Sequence, residues 1–383
     1  MRIVEYICHC PLSIKKDVCS LEHFSVVIVG AGPAGIACAL ELLRGGHNDI
    51  LVIEKYAFPR YKCCAGYITS KTFDTYKALG LDPAECGYSF INDFRLFRKG
   101  RERQQIENKF LYTSKTIDRV DLDDAFFRLA RSSGIRIEEK NEAVAIDPDN
   151  KLLTVRDPAG NDSQISFDFL VFADGTGGIS AALQKKRKVK RRNIALQLIF
   201  KSELQDGIEI HFGASKRGYV WVSSYGGVTN VGMTDLFKPG VNYMELFEKF
   251  MRSRGLVGEN EGLEDLEQIR KMKAAFTPIG IRKPVVGDNI YFVGDALGAC
   301  DPLTLSGLRY GLKSGSAAAR SILSGSPNPL KKYAFALRVK FALMAALQRV
   351  FYLRPVQFLV FNVGCRVFGG VVRWAFNRFL VSK

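Results

Sequence analysis

The stretch HFSVVIVGAGPAGIACALELL, residues 23–43, constrains this chain most. A β-branched apolar run, Val26–Val29, reaches Gly30, Gly32 and Gly35 and passes straight into a helix rich in Ala and Leu. Strand, glycine turn and helix in that order form a dinucleotide fingerprint. Gly30 allows the tight turn, Gly32 lets backbone amides approach a pyrophosphate, and Gly35 lets helix and strand pack closely. The helix N-terminus then faces negative charge. A second strand, DILVIEK, ends in Glu54, 19 residues beyond Gly35. A carboxylate there accepts from both ribose hydroxyls and disfavours a 2′-phosphate. The glycine pattern alone does not say which dinucleotide is bound.

Two later segments extend the same half. DFLVFADGTGG (168–178) reads as a buried strand ending in Asp174–Gly175. NIYFVGDALGACDPLTLSGLRYGLKSGSAAA (289–319) reads as another, ending in Gly294–Asp295, followed by a loop and a small-residue helix. Parallel strands place ligands at their carboxyl edge. Asp295 can hold a ribityl hydroxyl, and the Pro302 and Gly307 region can present backbone N–H groups. Between them, TIDRVDLDDAFFRLARSSG carries apolar residues at 122, 125, 126, 129 and 130, one helix face, with Arg119 at its start where it can meet phosphate.

Residues 185–282 interrupt this half. IEIHFGA, YVWVSSY and TNVGM alternate in strand period, and SYGG reads as a hairpin turn, so an antiparallel sheet is expected. NYMELFEKFMRSRG reads as a helix with Tyr243, Phe247, Phe250 and Met251 along one side. Tyr219 and Trp221, two apart, share a sheet face.

The charge is lopsided. Net charge is +16, and after Asp301 there are 13 Lys or Arg and no Asp or Glu. KKRKVKRR at 185–192 is a second basic run, readable as a solvated linker. Such fields attract anionic membranes or acidic redox partners. Nucleic acid is disfavoured, because no aromatic-interleaved or zinc module accompanies the charge. The apolar tail is interrupted by Arg349, Arg354, Pro355, Asn362 and Arg366. Helices lying on the core or on a membrane face are therefore expected rather than a spanning one. Nine cysteines, odd in number and irregular in spacing, with no secretory signal before them, imply a reducing, cytoplasmic setting, and the basic apolar tail leads us to expect a peripheral place on the inner membrane face. Cys8, His9, Cys10, Cys19 and His23 match no common zinc spacing, and no metal is expected.

Taken together, the glycine fingerprint, Arg119 with Asp123, Asp174–Gly175 and Gly294–Asp295 resemble the p-hydroxybenzoate-hydroxylase-like FAD superfamily. Within it the chain resembles the geranylgeranyl reductase family, digeranylgeranylglycerophospholipid reductases included. FPRYKCCAG (58–66) is similar to that family's Pro-x-x-Lys-x-Cys-Gly-Gly stretch. GYVWVSSYGGVTNVGM (218–233) is similar to its Tyr-x-Trp-x-Phe-Pro strand and Asn-Val-Gly, and GDALGACDPLTLSG to its Gly-Asp-Ala-Ala-Gly-x-x-x-Pro-Leu-Thr-x-x-Gly. The likeness covers roughly residues 24–325. Ala65, Ser223–Ser224 and Ser306 depart from the pattern and bear on substrate identity.

The resemblance implies an α/β glutathione-reductase-type FAD-binding Rossmann fold with an inserted antiparallel β-sheet substrate domain and a helical C-terminal region. The expected division is an extension at 1–23, an FAD-binding part at 24–98, 117–184 and 283–325, a substrate sheet at 99–116 and 185–282, and a basic apolar end at 326–383. It implies FAD, held by Gly30, Gly32, Pro33, Ala34, Gly35, Glu54, Lys55, Arg119, Asp174, Gly175, Gly294, Asp295, Pro302, Gly307 and Leu308. Hydride would pass from reduced flavin to an isolated prenyl double bond on a lipid or quinone, with a proton supplied to the other carbon. NAD(P)H or a ferredoxin-like protein would donate the electrons.

Adjacent cysteines at 63 and 64 close a disulfide only through a strained ring, and nearby metal partners are lacking. A pocket thiol or plain packing remains. The resemblance gives Cys64 the active-site position and leaves Cys63 structural. Tyr219 and Trp221 would line a greasy tunnel. The proton source is Cys64, Tyr219 or water. Two other readings stay open: a monooxygenase or halogenase on the same fold, although the halogenase Trp-x-Trp-x-Ile-Pro segment is absent, and a flavin-binding surface protein without activity.

Overall fold

The computed structural model describes residues 21–107, 111–184, 192–364 and 370. The Cys8–Cys19 cluster, most of the basic run at 185–192 and the end of the tail lie outside the described residues.

Apolar runs become the centre of an eight-stranded sheet. Glu22–Val29 pairs in parallel with Asp162–Phe172 on one side and Ile50–Glu54 on the other. Ile290–Phe292 and Arg136–Glu139 extend the parallel core outward. Val26, Val27, Ile28 and the whole of Ile50–Glu54 are buried, as strands covered on both faces must be. Glu142–Asp147 and Leu152–Arg156 add an antiparallel arm. The helices Pro33–Arg44 and Leu308–Leu323 pack against each other over one face. Their approach is close: a Cβ at Gly315 would lie 2.1 Å from the Ala34 carbonyl oxygen. Val120–Ser132 covers the sheet with Leu122, Phe126, Phe127 and Ala130 buried, so Phe127 joins the face expected from the spacing.

A second sheet has seven strands, in the order Gln268–Pro278, Arg192–Lys201, Val228–Leu236, Val220–Tyr225, Gly207–Phe212, Asp93–Arg98, Arg101–Glu107. The expected hairpin turn is present, with Gly226 and Gly227 both at positive φ between antiparallel strands. Two features differ from the expectation. Gly207–Phe212 pairs in parallel with Asp93–Arg98, so the sheet is not purely antiparallel. The boundary set after residue 98 falls within the hairpin of Asp93–Arg98 and Arg101–Glu107. Leu111–Thr113 belongs to a separate small sheet with Tyr67–Thr69 and Ser89–Phe90.

Strand alternation gives the seven-stranded sheet two working faces. Val220, Val222, Val231 and Met233 pack on the helix Tyr243–Ser253 through its buried Tyr243, Phe247, Phe250 and Met251. Trp221, Ile208 and Ile210, with Tyr219 beside them, turn the other way, toward the first sheet. The chain then runs through a long helix, Asn328–Phe351, and a short one, Arg354–Phe358. No helix among the described residues is long and apolar enough to cross a membrane.

Candidate functional site

A cavity of about 1250 Å³ lies between the carboxyl edge of the first sheet and the inner face of the second. That exceeds the roughly 300–1,000 Å³ of an ordinary small-molecule site. Its walls also include the C-terminal helices.

At one end stands the fingerprint. Gly30 has φ +104°, and a Cβ there would lie 2.6 Å from the Ala173 carbonyl oxygen. A Cβ on Gly35 would lie 2.0 Å from the Gly30 carbonyl oxygen, so Gly35 serves packing and does not line the cavity. Gly32, Pro33 and Ala34 do line it, with Pro33 in the first turn of its helix. Glu54 is buried; its Oε2 accepts the Ala31 N–H at 2.9 Å and its Oε1 the Tyr56 N–H at 3.0 Å. Each carboxylate oxygen keeps a second lone pair for a ribose hydroxyl. Lys55 lies beside it, 4.0 Å from Glu142.

Asp174–Gly175 and Gly294–Asp295 sit two and three residues past their strands, which end at Phe172 and Phe292. All four line the cavity. Asp174 accepts from the Ser180 N–H at 2.9 Å and hydroxyl at 2.6 Å. Burial holds its carboxyl above the ordinary value against those two bonds. Asp295 pairs with Lys62 at 3.3 Å, a contact between the cysteine loop and the strand edge. Gly307 and Leu308 line the cavity, but Pro302 does not. The Pro302 carbonyl instead accepts from Gln348 Nε2 at 2.7 Å, because the long helix packs on that side of the loop. Leu303, Thr304, Leu305 and Ser306 take its place in the wall.

Arg119 is buried in the cavity wall, 3.5 Å from Asp123. Burial opposes its charge, but Asp123 and the neighbouring thiol and phenols outweigh it and raise its pKa. Its Nε has no hydrogen-bond partner among the described residues. This cation lies within electrostatic reach of Cys63 and Cys64.

The cysteine loop is fastened through its backbone. Cys64 N–H donates to Gln197 Oε1 at 2.7 Å, and Gln197 Nε2 donates back to the Cys64 carbonyl. Asn230 Nδ2 donates to the same carbonyl at 3.0 Å and to the Ile117 carbonyl at 2.8 Å. Asn230 Oδ1 accepts from Trp221 Nε1 at 2.9 Å. Gln197 and Asn230 are fully buried. At Gly66, φ is +80° and a Cβ would lie 2.1 Å from the Ile117 carbonyl oxygen. Both cysteines are free thiols lining the cavity. Burial, then its neighbour Cys64, pushes the Cys63 thiol up to about 12. Tyr219 donates to the Thr304 carbonyl at 2.7 Å, and burial raises its pKa. Its ring meets that of Trp221 at 6.4 Å, and both line the cavity.

The structure therefore brings Cys64, Tyr219 and Trp221 into one cavity with the expected dinucleotide residues other than Gly35 and Pro302. Sequence reasoning gave Asn230 only as the first residue of the Asn-Val-Gly motif, without a role, and missed Gln197 and the wall residues Leu347, Val350, Phe351 and Tyr352. A lone Gln within the apolar run IALQLIF was the available signal for Gln197.

The family model for FAD binding domains matches residues 23–242. The chain belongs to that family. Its cofactor is FAD, and it is an FAD-dependent oxidoreductase. The cavity fits the cofactor: the fingerprint glycines admit no Cβ at Gly30 or Gly35, and buried Arg60 Nε and Arg119 Nε in its wall lack partners among the described residues. A menaquinone reductase of Mycobacterium tuberculosis is 27% identical over 78% of this chain and 76% of its own length. Digeranylgeranylglycerophospholipid reductase 2 of Methanosphaera stadtmanae is 26% identical over 80% and 81%. A tryptophan 2-halogenase of Chondromyces crocatus is 26% identical over 78% and 61%. Among solved structures, a geranylgeranyl bacteriochlorophyll reductase-like protein of Thermoplasma acidophilum superposes with a TM-score of 0.73 at 18% identity, over 90% of this chain and 92% of that one.

Proposed function

We propose that this FAD-binding-family protein saturates isolated C=C bonds of prenyl chains carried by a lipid or a quinone. The observation that carries the reading is the continuity of the cavity. It runs from the dinucleotide strand edge, past the Cys64 peptide, to an apolar wall that includes Phe94, Ile210, Phe212, Trp221, Val350 and Phe351. Such a wall offers a long hydrocarbon apolar surface along its length, where burial of each CH₂ contributes about 0.8 kcal/mol. The names of the menaquinone and digeranylgeranylglycerophospholipid reductases support the same substrate class.

On this reading Gly30, Gly32, Pro33, Ala34, Glu54 and Lys55 hold the adenosine side, and Asp174, Gly175, Gly294, Asp295, Gly307 and Leu308 the flavin side. Reduced FAD, when bound, supplies hydride. The chain's residues align the alkene and keep water out, which an unactivated double bond requires. The bonds from Gln197 and Asn230 fix where Cys64 stands, and Trp221 is held by Asn230. Cys64 or Tyr219 delivers the proton. Both Tyr219 and Cys63 stay protonated at neutral pH, since burial raises their pKa values. NAD(P)H or an acidic ferredoxin-like protein reduces the flavin, and a membrane surface holds the substrate.

Dithionite-reduced protein incubated anaerobically with a geranylgeranyl lipid tests this. The expected result is flavin reoxidation with product heavier by two mass units per double bond. The halogenase relative favours a second reading, oxygen-dependent monooxygenase or halogenase chemistry. Reoxidation only on admitting oxygen, with an oxygenated or halogenated product, would establish that one instead.

A further inference from the structure

The helix Asn328–Phe351 has two apolar faces. Leu330, Ala334, Leu337, Phe341 and Met344 are buried against the fold. Phe335, Val339, Leu343, Leu347 and Val350 are exposed, from 47% at Leu347 to 65% at Phe335. At ~100° per residue the exposed set falls within an arc of about 120°, on the side opposite the buried set. It runs for about 22 Å along the helix. A helix on the surface of a globular fold needs one apolar stripe, not two. Lys331, Arg338 and Arg349 border the exposed stripe on one side, and Lys332 stands at its N-terminal end. None of the four has an ion-pair partner among the described residues.

The stripe is continuous with the cavity. Leu347 and Val350 belong to both, and Val356 lies next in the cavity wall. The cavity thus reaches the surface where the stripe ends.

We propose that this face seats on an anionic lipid bilayer and that the cavity opens into it. The stripe would lie at the acyl boundary, with the flanking cations among the headgroups. A prenyl chain would then move from bilayer to cavity without crossing water. The proposal rests on the prenyl-substrate reading and adds the route and the docking face. Charge selects the occupant. The chain beyond Asp301 carries 13 Lys or Arg and no Asp or Glu, so a second copy seated face to face would bring like charge to like. An anionic bilayer complements both the stripe and its border.

The test is co-sedimentation of the FAD-loaded full chain with vesicles of phosphatidylcholine alone or enriched in phosphatidylglycerol. It requires no turnover. The parent is expected to sediment with the anionic vesicles and to bind the neutral ones at least tenfold more weakly. The triple variant Phe335→Ser, Val339→Ser, Leu343→Ser replaces no residue that lines the cavity. It is expected to lose tenfold or more in anionic-vesicle binding while keeping its flavin content and its circular dichroism. Lys331→Glu with Lys332→Glu provides a second variant that leaves the apolar residues in place, and it should also weaken binding. Triple-variant binding equal to the parent's overturns the proposal. So does a dimer in lipid-free solution that the triple variant dissolves, which makes a second copy the occupant. So does a parent that binds only after residues 365–383 are removed, which makes the chain's own end the occupant. Reduction of a detergent-dispersed prenyl lipid without vesicle binding would refute the docking face and leave the reductase reading standing. Vesicle binding without any prenyl reduction would do the reverse.

Discussion

The Cys64 thiol owes its position to side chains that hold its peptide, not its sulfur. Asn230 joins three segments, through the carbonyls of Cys64 and Ile117 and the indole of Trp221. Asn230→Leu would strand the Ile117 carbonyl and the Trp221 indole N–H and leave the Cys64 carbonyl to Gln197 alone, and each orphaned group costs about 1–3 kcal/mol. A loss of roughly 2–4 kcal/mol in urea unfolding is expected, with kcat falling more than KM rises. Cys64→Ser should keep bound FAD and its absorption spectrum. If the thiol delivers the proton, reoxidation by a prenyl lipid should slow by about 10²-fold, the lower range for general acid catalysis. The Cys63 thiol, pushed up to about 12, is protonated throughout the neutral range. Iodoacetamide at pH 8 should therefore modify it far more slowly than free cysteine, as peptide mass mapping would show. The cysteine pair was legible through the motif around it. Its clamp was not, because Gln197 lies 133 positions away and a buried Gln does not declare its partner.

At the level of elements, local signals were legible and non-local ones were not. The fingerprint turn, the Gly226–Gly227 hairpin and the buried face of Tyr243–Ser253 each depend on neighbours in sequence. The parallel pairing of Gly207–Phe212 with Asp93–Arg98 joins strands with no shared turn, so nothing in either run announces it. That pairing is accompanied by a charge cluster. Glu209 accepts from His211 at 2.8 Å and from Arg254 at 2.8 Å, and Arg95 lies at 3.4 Å. Burial alone would raise the Glu209 carboxyl, but the bonds from His211 and Arg254 bring it down from 4.5 to about 2. A carboxyl depressed in the folded state stabilises the fold above its unfolded pKa, and that contribution disappears as pH falls through the folded one. The melting temperature should therefore drop between pH 4.5 and about 2. Glu209→Gln should flatten that part of the profile and cost about 1–3 kcal/mol at neutral pH, since it leaves the part-buried Arg254 and Arg95 without their carboxylate.

For the whole molecule, the cavity is a property of the entire described chain, with walls drawn from Val29 to Val356. A chain ending at residue 326 would lack the Leu347–Val356 wall and uncover what Leu330, Leu337 and Phe341 cover. It should lose FAD on gel filtration and melt at least about 5 °C lower, as loss of several buried side chains requires. Cations are spread through the whole sequence, yet the stretch beyond Asp301 alone carries 13 of them unopposed. The protein is therefore an electrical pole as well as an enzyme. A pole turns toward an anionic surface before touching it, over distances set by the Debye length, about 8 Å at physiological salt. Hydrocarbon contact begins only after arrival. Added salt should consequently slow the landing of this protein on anionic vesicles and leave its residence time there much less changed.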